Sequence, residues 1–336
     1  MRIMRTTTVA FLVALLAGSA HAQSLGAAEP FNVYVLGNAW QQGADAEGGV
    51  AVGGNLKVGD WGFTTGWNGG GKLIVGGNLD NLGHSVHPDG VFAGGNLNYA
   101  QTLTSVGGVQ ANGDVFIAGG QPGSVKHGGT FAYTGTEVFP TSSGISPIPI
   151  DFASTNTYLK NESAFLGTLA GTNINAGGYL DLDVSGGGLK VFNLTKDAFE
   201  SSFVFNFGNP APDTTVLVNV SGDDIHVPNA NYFYNWVSYP SAPGFSNVLF
   251  NFPDATQLHI DAMGGSVLAP NATLDMNYGV VYGTVVVGQL GTELDPSVGQ
   301  FNLVKFKGKL PQIPEPGTLV LAGLGLAGLA TRRRRK

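Results

Sequence analysis

The body of the chain alternates short apolar runs with glycine-rich corners. Each copy has a β-branched or aromatic run, a Gly-Gly or Gly-Gly-Asn corner able to take positive φ, and a further apolar residue. Copies occupy residues 50–56, 73–79 and 91–97, with a degenerate fourth at 115–120, and the steps from the first corner glycine of one copy to that of the next (53, 76, 94 and 119) are 23, 18 and 25 residues. A strand, a sharp bend and a return of this length indicate one coil of a parallel β-helix. A phosphate-binding loop is disfavoured because no Lys-Ser/Thr follows the copies and no βα unit surrounds them.

A different periodicity interrupts these copies. Residues 142–149 read as a Pro/Ser linker into Asp151, which is a suitable helix N-cap. After it, apolar positions recur at helical spacing up to Gly171. The pattern predicts the only long helix of the body, with one face buried along the side of the β-helix.

Strand patterns return after Gly177. They are predicted at residues 179–184, 188–194, 202–207, 214–220, 247–252, 257–260, 266–268, 272–276 and 280–287. The run 279–287 is almost wholly apolar or β-branched, which is typical of a strand buried on both faces. The predicted fold class is therefore mainly β, a parallel β-helix with one long α-helix packed alongside.

The N-terminus has the order of a secretory signal peptide. A head containing Arg2 and Arg5 precedes the apolar stretch 9–17, and Ala20 and Ala22 form a small-x-small cleavage site. Cleavage would leave Gln23 first. The alternative is a buried N-terminal helix.

The C-terminus has three parts: Pro314, Glu315 and Pro316, then the 13-residue apolar run 318–330, then Arg332, Arg333, Arg334, Arg335 and Lys336. The run is shorter than the roughly 20 residues of a permanent membrane span, and the cations cannot cross. The tail resembles the PEP-CTERM sorting signal. That resemblance implies an exosortase as partner, a Gram-negative host that makes exopolysaccharide, and transient inner-membrane insertion as a transmembrane helix before processing. An ordinary tail anchor is the alternative.

The charge and composition of the body limit the classes of partner that it can bind. Between Gln23 and Thr331 there are nine lysines, no arginine and all 23 acids, a formal charge of −14. Such a field repels phosphate backbones and anionic lipid, so we expect no nucleic-acid partner, whereas divalent cations and neutral glycans are compatible. The chain has no cysteine, so neither disulfides nor thiolate metal sites hold the fold.

The order of motifs resembles the choice-of-anchor A family of surface domains. The likeness rests on residues 31–37, 47–55, 218–222, 249–255 and 267–273, and it extends over about 31–310. It implies a signal peptide at 1–22, an anchored β-helical domain at 23–310 and a sorting signal at 311–336. The succession of early coils, helix and late coils is also similar to ice-binding β-helix proteins. Regular Thr-x-Thr ladders, which an ice face requires, are not formed by the threonines here.

Four acidic residues are candidate ligands. Asp181 and Asp183 stand two apart on a predicted strand and so point to one face, while Asp223 and Asp224 follow Gly222 in a turn. Asp-rich corners supply the hard oxygens that calcium prefers, so calcium is the one cofactor considered. One alternative is that two of these residues form a catalytic carboxylate pair, and the other is that they belong to a solvated face or cap turns. His84 and His87 are expected to be exposed loop histidines.

Two aromatic clusters are candidate glycan or surface contacts: Trp61 and Trp67 in a Gly-rich insertion, and Tyr234 and Trp236 before Pro240. The alternative is that they plug the solenoid. Together these features predict an exported, non-enzymatic, adhesin-like or biofilm-associated protein of the cell surface or extracellular matrix, whose partner is extracellular polysaccharide or another surface ligand. An ice-binding protein and a polysaccharide-active enzyme are the alternatives.

Overall fold

The computed structural model describes residues 25–59, 62–63, 71–83, 85–86, 89–105, 107–234, 237–238, 243–311 and 313. Residues 24–309 form one compact unit, and the second unit, residues 1–23 and 310–336, lies almost wholly outside the described residues. The described chain is mainly β, as predicted, and has one long helix.

Thirteen strands pair in parallel and in register along one side of the large sheet. We call this set the pre-corner column, because each of its repeat strands precedes a glycine-rich corner. In spatial order it contains Thr141–Ser143, Val125–His127, Val109–Ala111, Val91–Ala93, Leu73–Val75, Val50–Val52, Val33–Val35, Val285–Leu290, Ser266–Asp275, Val248–Asn251, Thr215–Ser221, Leu189–Thr195 and Thr172–Ile174.

The strands that follow the corners form a second parallel column. This post-corner column contains Phe131–Tyr133, Val115–Pro122, Leu97–Ser105, Leu79–Asn81, Leu56–Val58, Ala39–Gln41, the ends of Val285–Leu290 and Ser266–Asp275, then Gln257–Ile260 and Asp224–Val227; Ser85–Val86 pairs with the far end of Leu97–Ser105. We call one pre-corner strand, its corner and the following post-corner strand a rung.

Two smaller sheets complete the strands. One contains Asp45–Ala46, Gly62–Phe63, Ala262–Gly264, Val280–Tyr282 and Gln300–Asn302; the other contains Tyr179–Asp181, Val204–Asn206, Asn231–Tyr234 and Val237–Ser238. The predicted single strand 280–287 is therefore two strands, which belong to different sheets. Its second part, Val285 to Val287, is wholly buried, as the apolar run predicted.

The first rung lies between the second rung and the last one. Val33 pairs with Val50 on one side and with Val285 on the other. The early rungs therefore extend outward from this junction, and the late rungs return toward it from the opposite end. Parallel strands stacked in register are compatible with the predicted β-helix.

The repeat alignment corrects the predicted fourth copy. Val115 pairs with Leu97, a post-corner residue, whereas Val91 pairs with Val109 and Val109 with Val125. The fourth and fifth copies therefore begin at Val109 and Val125, and a copy before the predicted first begins at Val33. The corners were missed because Asn-Gly-Asp replaces Gly-Gly-Asn in the fourth copy.

The corner glycines are required by close backbone approach. Gly53, Gly76 and Gly94 do not have positive φ, contrary to the prediction. A Cβ on Gly76 would lie 2.3 Å from the Gly53 carbonyl oxygen, and one on Gly94 would lie 2.2 Å from that of Gly76. Each glycine therefore permits the next rung to stack at normal strand spacing.

The corner asparagines form a ladder that joins successive rungs. The Oδ1 atom of each accepts a hydrogen bond from the backbone N–H of the residue in the same position of the next rung, at 2.8 to 2.9 Å, from Asn38 through Asn55, Asn78 and Asn96 to Asp114. The ladder satisfies corner N–H groups that face no strand partner.

The long helix, α1, spans Phe152–Gly167, and a short helix, α2, that the pattern missed spans Lys196–Glu200. Short 3-10 helices occupy Gly26–Ala28 and Pro243–Asn247. Asp151 caps α1 as predicted, because its side chain accepts from the Ser154 N–H at 3.1 Å. Within the described ranges no helix combines the length and apolar character that crossing a membrane requires; the apolar run 318–330 lies outside those ranges.

Helix α1 and the segment before it run along the corner side of the pre-corner column. Asn112 exchanges hydrogen bonds with Ser146, Asn156 donates to the Leu36 carbonyl, and Ser163 bonds Asn251. The C-terminal segment 303–309 crosses other rungs, with backbone N–H groups bonded to Glu47, Thr284, Ser246 and Thr215. Both segments tie early rungs to late ones.

Candidate functional site

The outward row of the pre-corner column is covered along only part of its length. Tyr34, Ala51 and Ile74 are buried, whereas the in-register residues Phe92, Gln110 and Lys126 are only partly buried and Ser142 is exposed. The length of α1 explains why the row is covered only in part. Sixteen residues span about 24 Å, which equals five strand spacings of about 4.8 Å. This takes α1 from the rung of Ala51 to that of Asn219.

An open groove of about 510 Å³ lies over the uncovered row. Pro147 and Pro149 form one wall, Gly90, Gly107 and Gly108 lie on the other side, and exposed Lys72 and Asp89 stand at the rim. Lys126 does not point freely into it, because its Nζ donates to Ser146 Oγ at 2.7 Å. The groove therefore has a floor set by the strand register and a wall fixed to it by hydrogen bonds.

The floor of the groove carries an unsatisfied donor. Gln110 Nε2 is buried and has no hydrogen-bond partner among the described residues. A buried donor without an acceptor costs about 1–3 kcal/mol, so a side-chain rotation that brings Nε2 to an acceptor in the groove recovers that free energy. Phe92 offers an apolar ring one rung away. An amide donor beside an aromatic ring matches a ligand that has both hydroxyl oxygens and an apolar face.

The four predicted acidic ligands are not brought together. Leu180 and Leu182 are buried and Asp181 and Asp183 exposed, so both carboxylates do share one face. Asp181 accepts from Asn206 at 2.7 Å. Asp183 accepts from the Ser185 hydroxyl and from the Ser185 N–H, the latter at 2.9 Å, and these bonds lower the Asp183 pKa. Asp223 and Asp224 lie at the post-corner column instead, and Asp223 accepts from Thr256.

Asp224 belongs to a cluster that sequence reasoning missed. It lies with His226 and His259, and their ligand atoms are within 4.8 Å of one another. The signal was a two-residue spacing, Asp224 to His226 on one strand with His259 on the next. The two histidines are 33 residues apart in sequence, and only the register of their strands shows that they lie side by side.

Several predicted residues lie outside the described part of the chain. These are the signal cleavage residues Ala20 and Ala22, the aromatics Trp61, Trp67 and Trp236, the histidines His84 and His87, and the sorting-signal residues Pro314, Glu315, Pro316 and Arg332 to Arg335. The backbone of Tyr234 ends the strand Asn231–Tyr234, but its side chain is not described. The glycan-contact prediction for these aromatics stays a prediction.

One buried carboxyl lies on α1. The Glu162 side chain is buried, and neither of its oxygens has a hydrogen-bond partner among the described residues. Burial raises the Glu162 pKa from 4.5 to about 7.

Comparison with known proteins gives two matches. Residues 24–301 match the model of a family described as a putative ice-binding-like adhesive domain, and residues 312–335 match the PEP-CTERM protein-sorting motif. No curated protein and no solved structure matches the chain. The matches support the predicted sorting signal and the likeness to ice-binding proteins, but they do not support the choice-of-anchor A resemblance.

Proposed function

The chain belongs to the family of ice-binding-like adhesive domains, and on this premise we propose that it is a non-enzymatic adhesin that binds extracellular polysaccharide. The adhesive domain and its PEP-CTERM motif make it an exported, exosortase-processed surface protein. We further infer that the rungs form a β-solenoid, that the host is Gram-negative, and that the tail is held in the inner membrane before processing.

The open groove is the observation that carries the polysaccharide proposal. Its floor repeats at the strand spacing of about 4.8 Å, roughly the length of one sugar residue, so an extended glycan chain can lie along it. Gln110 supplies a donor without an acceptor, and Phe92 supplies a ring for the apolar face of a sugar. The negative charge of the domain favours a neutral glycan over an acidic one.

A glycan array and a pull-down on exopolysaccharide from the producing cells test this function. We expect Gln110→Ala and Phe92→Ala to weaken binding about tenfold each, which corresponds to about 1.4 kcal/mol. Phe116→Ala is the matched control, because Phe116 is an exposed phenylalanine of the post-corner column outside the groove. Equal binding by all three variants would rule out the groove as the glycan site.

Ice binding is the alternative that the family description brings forward. The outward row of the post-corner column carries Trp40, Lys57, Asp80, Asn98 and Phe116. These side chains differ in size and charge, so the row is not the flat, regular Thr-x-Thr ladder that an ice-binding face requires. A thermal-hysteresis assay separates the two functions.

A further inference from the structure

A histidine–aspartate cluster lies on the post-corner column, on different strands from the groove. The register places Asp224 and His226 on the strand Asp224–Val227 and pairs His226 with His259 on the next strand. A further strand pairs His259 with Asp275. The two imidazole rings stack with centroids 4.3 Å apart and an angle of 11° between their planes, as in-register side chains on adjacent parallel strands do.

We propose that Asp224, His226 and His259 bind a divalent transition metal, with zinc as the best-matched ion. Asp224 Oδ1 lies 3.7 Å from His226 Nε2 and 3.4 Å from His259 Nε2. Ligand bonds of 2.0–2.1 Å in a tetrahedron place neighbouring ligand atoms about 3.3 Å apart. The Asp–His separations are close to that value, and the two stacked rings must rotate so that both Nε2 lone pairs meet at one ion.

Asp275 orients one of the metal-binding rings. Its Oδ2 atom lies 3.2 Å from His259 Nδ1, and the pairing of the two strands holds it there. A carboxylate in this place favours the tautomer with the proton on Nδ1, which leaves the Nε2 lone pair directed at Asp224. Carboxylate–histidine–metal arrangements of this kind are typical of zinc sites.

The backbone that carries the ligands is also fixed. Glu200 Oε1 accepts from the His226 N–H at 2.8 Å, and Lys196 Nζ donates to the Asp224 carbonyl. Both residues come from α2 and form an ion pair at 3.6 Å. The short helix therefore holds the ligand strand in place before any metal arrives.

The donor set selects zinc over calcium. Two imidazole nitrogens and one carboxylate oxygen suit zinc and its neighbours, whereas calcium takes six to eight oxygen ligands. The side chains are accessible, with 63% of His226 and 55% of Asp224 exposed. Three protein ligands leave a fourth position open toward solvent.

Isothermal titration of the full-length chain with Zn²⁺ tests the proposal. We expect one equivalent to bind. Asp275→Ala should weaken binding about 10- to 100-fold, the usual loss when a residue orienting a ligand is removed. Asp275→Asn should recover part of that loss, because its amide oxygen still accepts from Nδ1. His259→Ala should weaken Zn²⁺ binding more than either Asp275 variant does, because it removes a metal ligand.

Three controls keep the result interpretable. Gln257→Ala alters an exposed neighbour on the same strand as His259, and His127→Ala and the double variant His84→Ala/His87→Ala remove histidines outside the cluster. All should bind Zn²⁺ as the wild type does, and Co²⁺ should give a low-symmetry absorption spectrum that His259→Ala abolishes. Absence of Zn²⁺ binding, or equal binding by His259→Ala with folding confirmed by circular dichroism, would overturn the site and leave the glycan function untouched.

Discussion

At the residue scale, the glycines of the repeat copies are not all required for the same reason. Gly94 has a neighbouring carbonyl oxygen where its Cβ would be, whereas Gly119, in the predicted fourth copy, would place a Cβ 3.5 Å from Thr102 Cγ2 and near nothing else. A contact of 2.2 Å with backbone cannot be relieved by a side-chain rotation. Glycine is therefore obligatory at Gly94 and replaceable at Gly119.

Replacing each of these glycines by alanine measures the difference. Gly94→Ala should destabilise the domain by several kcal/mol, because the backbone of the Gly76 corner must move. Gly119→Ala should change the free energy of unfolding by less than about 1 kcal/mol. Denaturant unfolding of both variants checks this. Equal losses would mean that the fourth copy does begin at Val115, as the sequence pattern suggested.

At the scale of elements, α1 is held by polar groups on its buried side as well as by Leu159 and Leu166. A second asparagine row donates to carbonyls at and beyond its C-terminal end: Asn219 to Leu166, Asn251 to Ser163 and Asn193 to Leu169. The bonds to Leu166 and Leu169 satisfy carbonyl groups that the helix end leaves without internal partners. Glu162 is the exception on this face, because its carboxyl has no such partner among the described residues.

Glu162 gives the domain a pH dependence of definite sign. Its pKa rises on folding from 4.5 to about 7, so the folded state binds more protons than the unfolded state between these values. Stability must therefore fall as pH rises from about 4.5 to about 7, and the full cost, on the order of 3 kcal/mol, applies above that range.

Glu162→Gln removes this titration. The variant should gain stability relative to the wild type as pH increases from 4 to 8, measured by denaturant unfolding at several pH values. Burying the glutamine amide changes the free energy of unfolding by the same amount at every pH, so it does not alter this dependence on pH. Asn161→Ala, at an exposed and non-titrating position of α1, is the control and should show no pH-dependent difference. A difference between Glu162→Gln and wild type that is flat with pH would contradict the raised pKa.

At the scale of the whole domain, the junction between early and late rungs unites the two halves of the sequence. Val33–Val35 has a paired strand on both sides, and so has Val285–Leu290. The strands Thr141–Ser143 and Thr172–Ile174 each have one partner in the column. Local stability should therefore be least at the two outer strands, since terminal strands fray first, and greatest at the junction, which lies in the middle of the column and furthest from both ends.

Hydrogen exchange tests this order. The amides of residues 33–35 and 285–287 should be among the slowest to exchange, and those of 141–143 and 172–174 among the fastest. The measurement is native-state exchange followed by mass spectrometry of overlapping peptides. Weak protection at the junction would show that the early and late halves open independently.

The sequence alone determined the features that depend on local chemistry. Glycine-rich corners, β-branched runs, the Asp151 cap and the helical spacing after it predicted mainly parallel strands and one long helix, because these signals act over a few residues. The PEP-CTERM match likewise depends on contiguous residues. The position at which the later copies begin could not be predicted from local sequence. Asn112, Gly113 and Asp114 are recognised as a corner only because they lie in register with Gly94, Gly95 and Asn96.

Only the tertiary structure decided which rungs are neighbours and what remains uncovered. The junction of Val33 with Val285 joins residues 252 positions apart, and no short-range pattern specifies such a pairing. The groove exists because α1 covers only about five strand spacings, and the histidine cluster exists because register places His226 against His259. Both candidate sites therefore result from stacking, which brings together side chains that no motif places side by side.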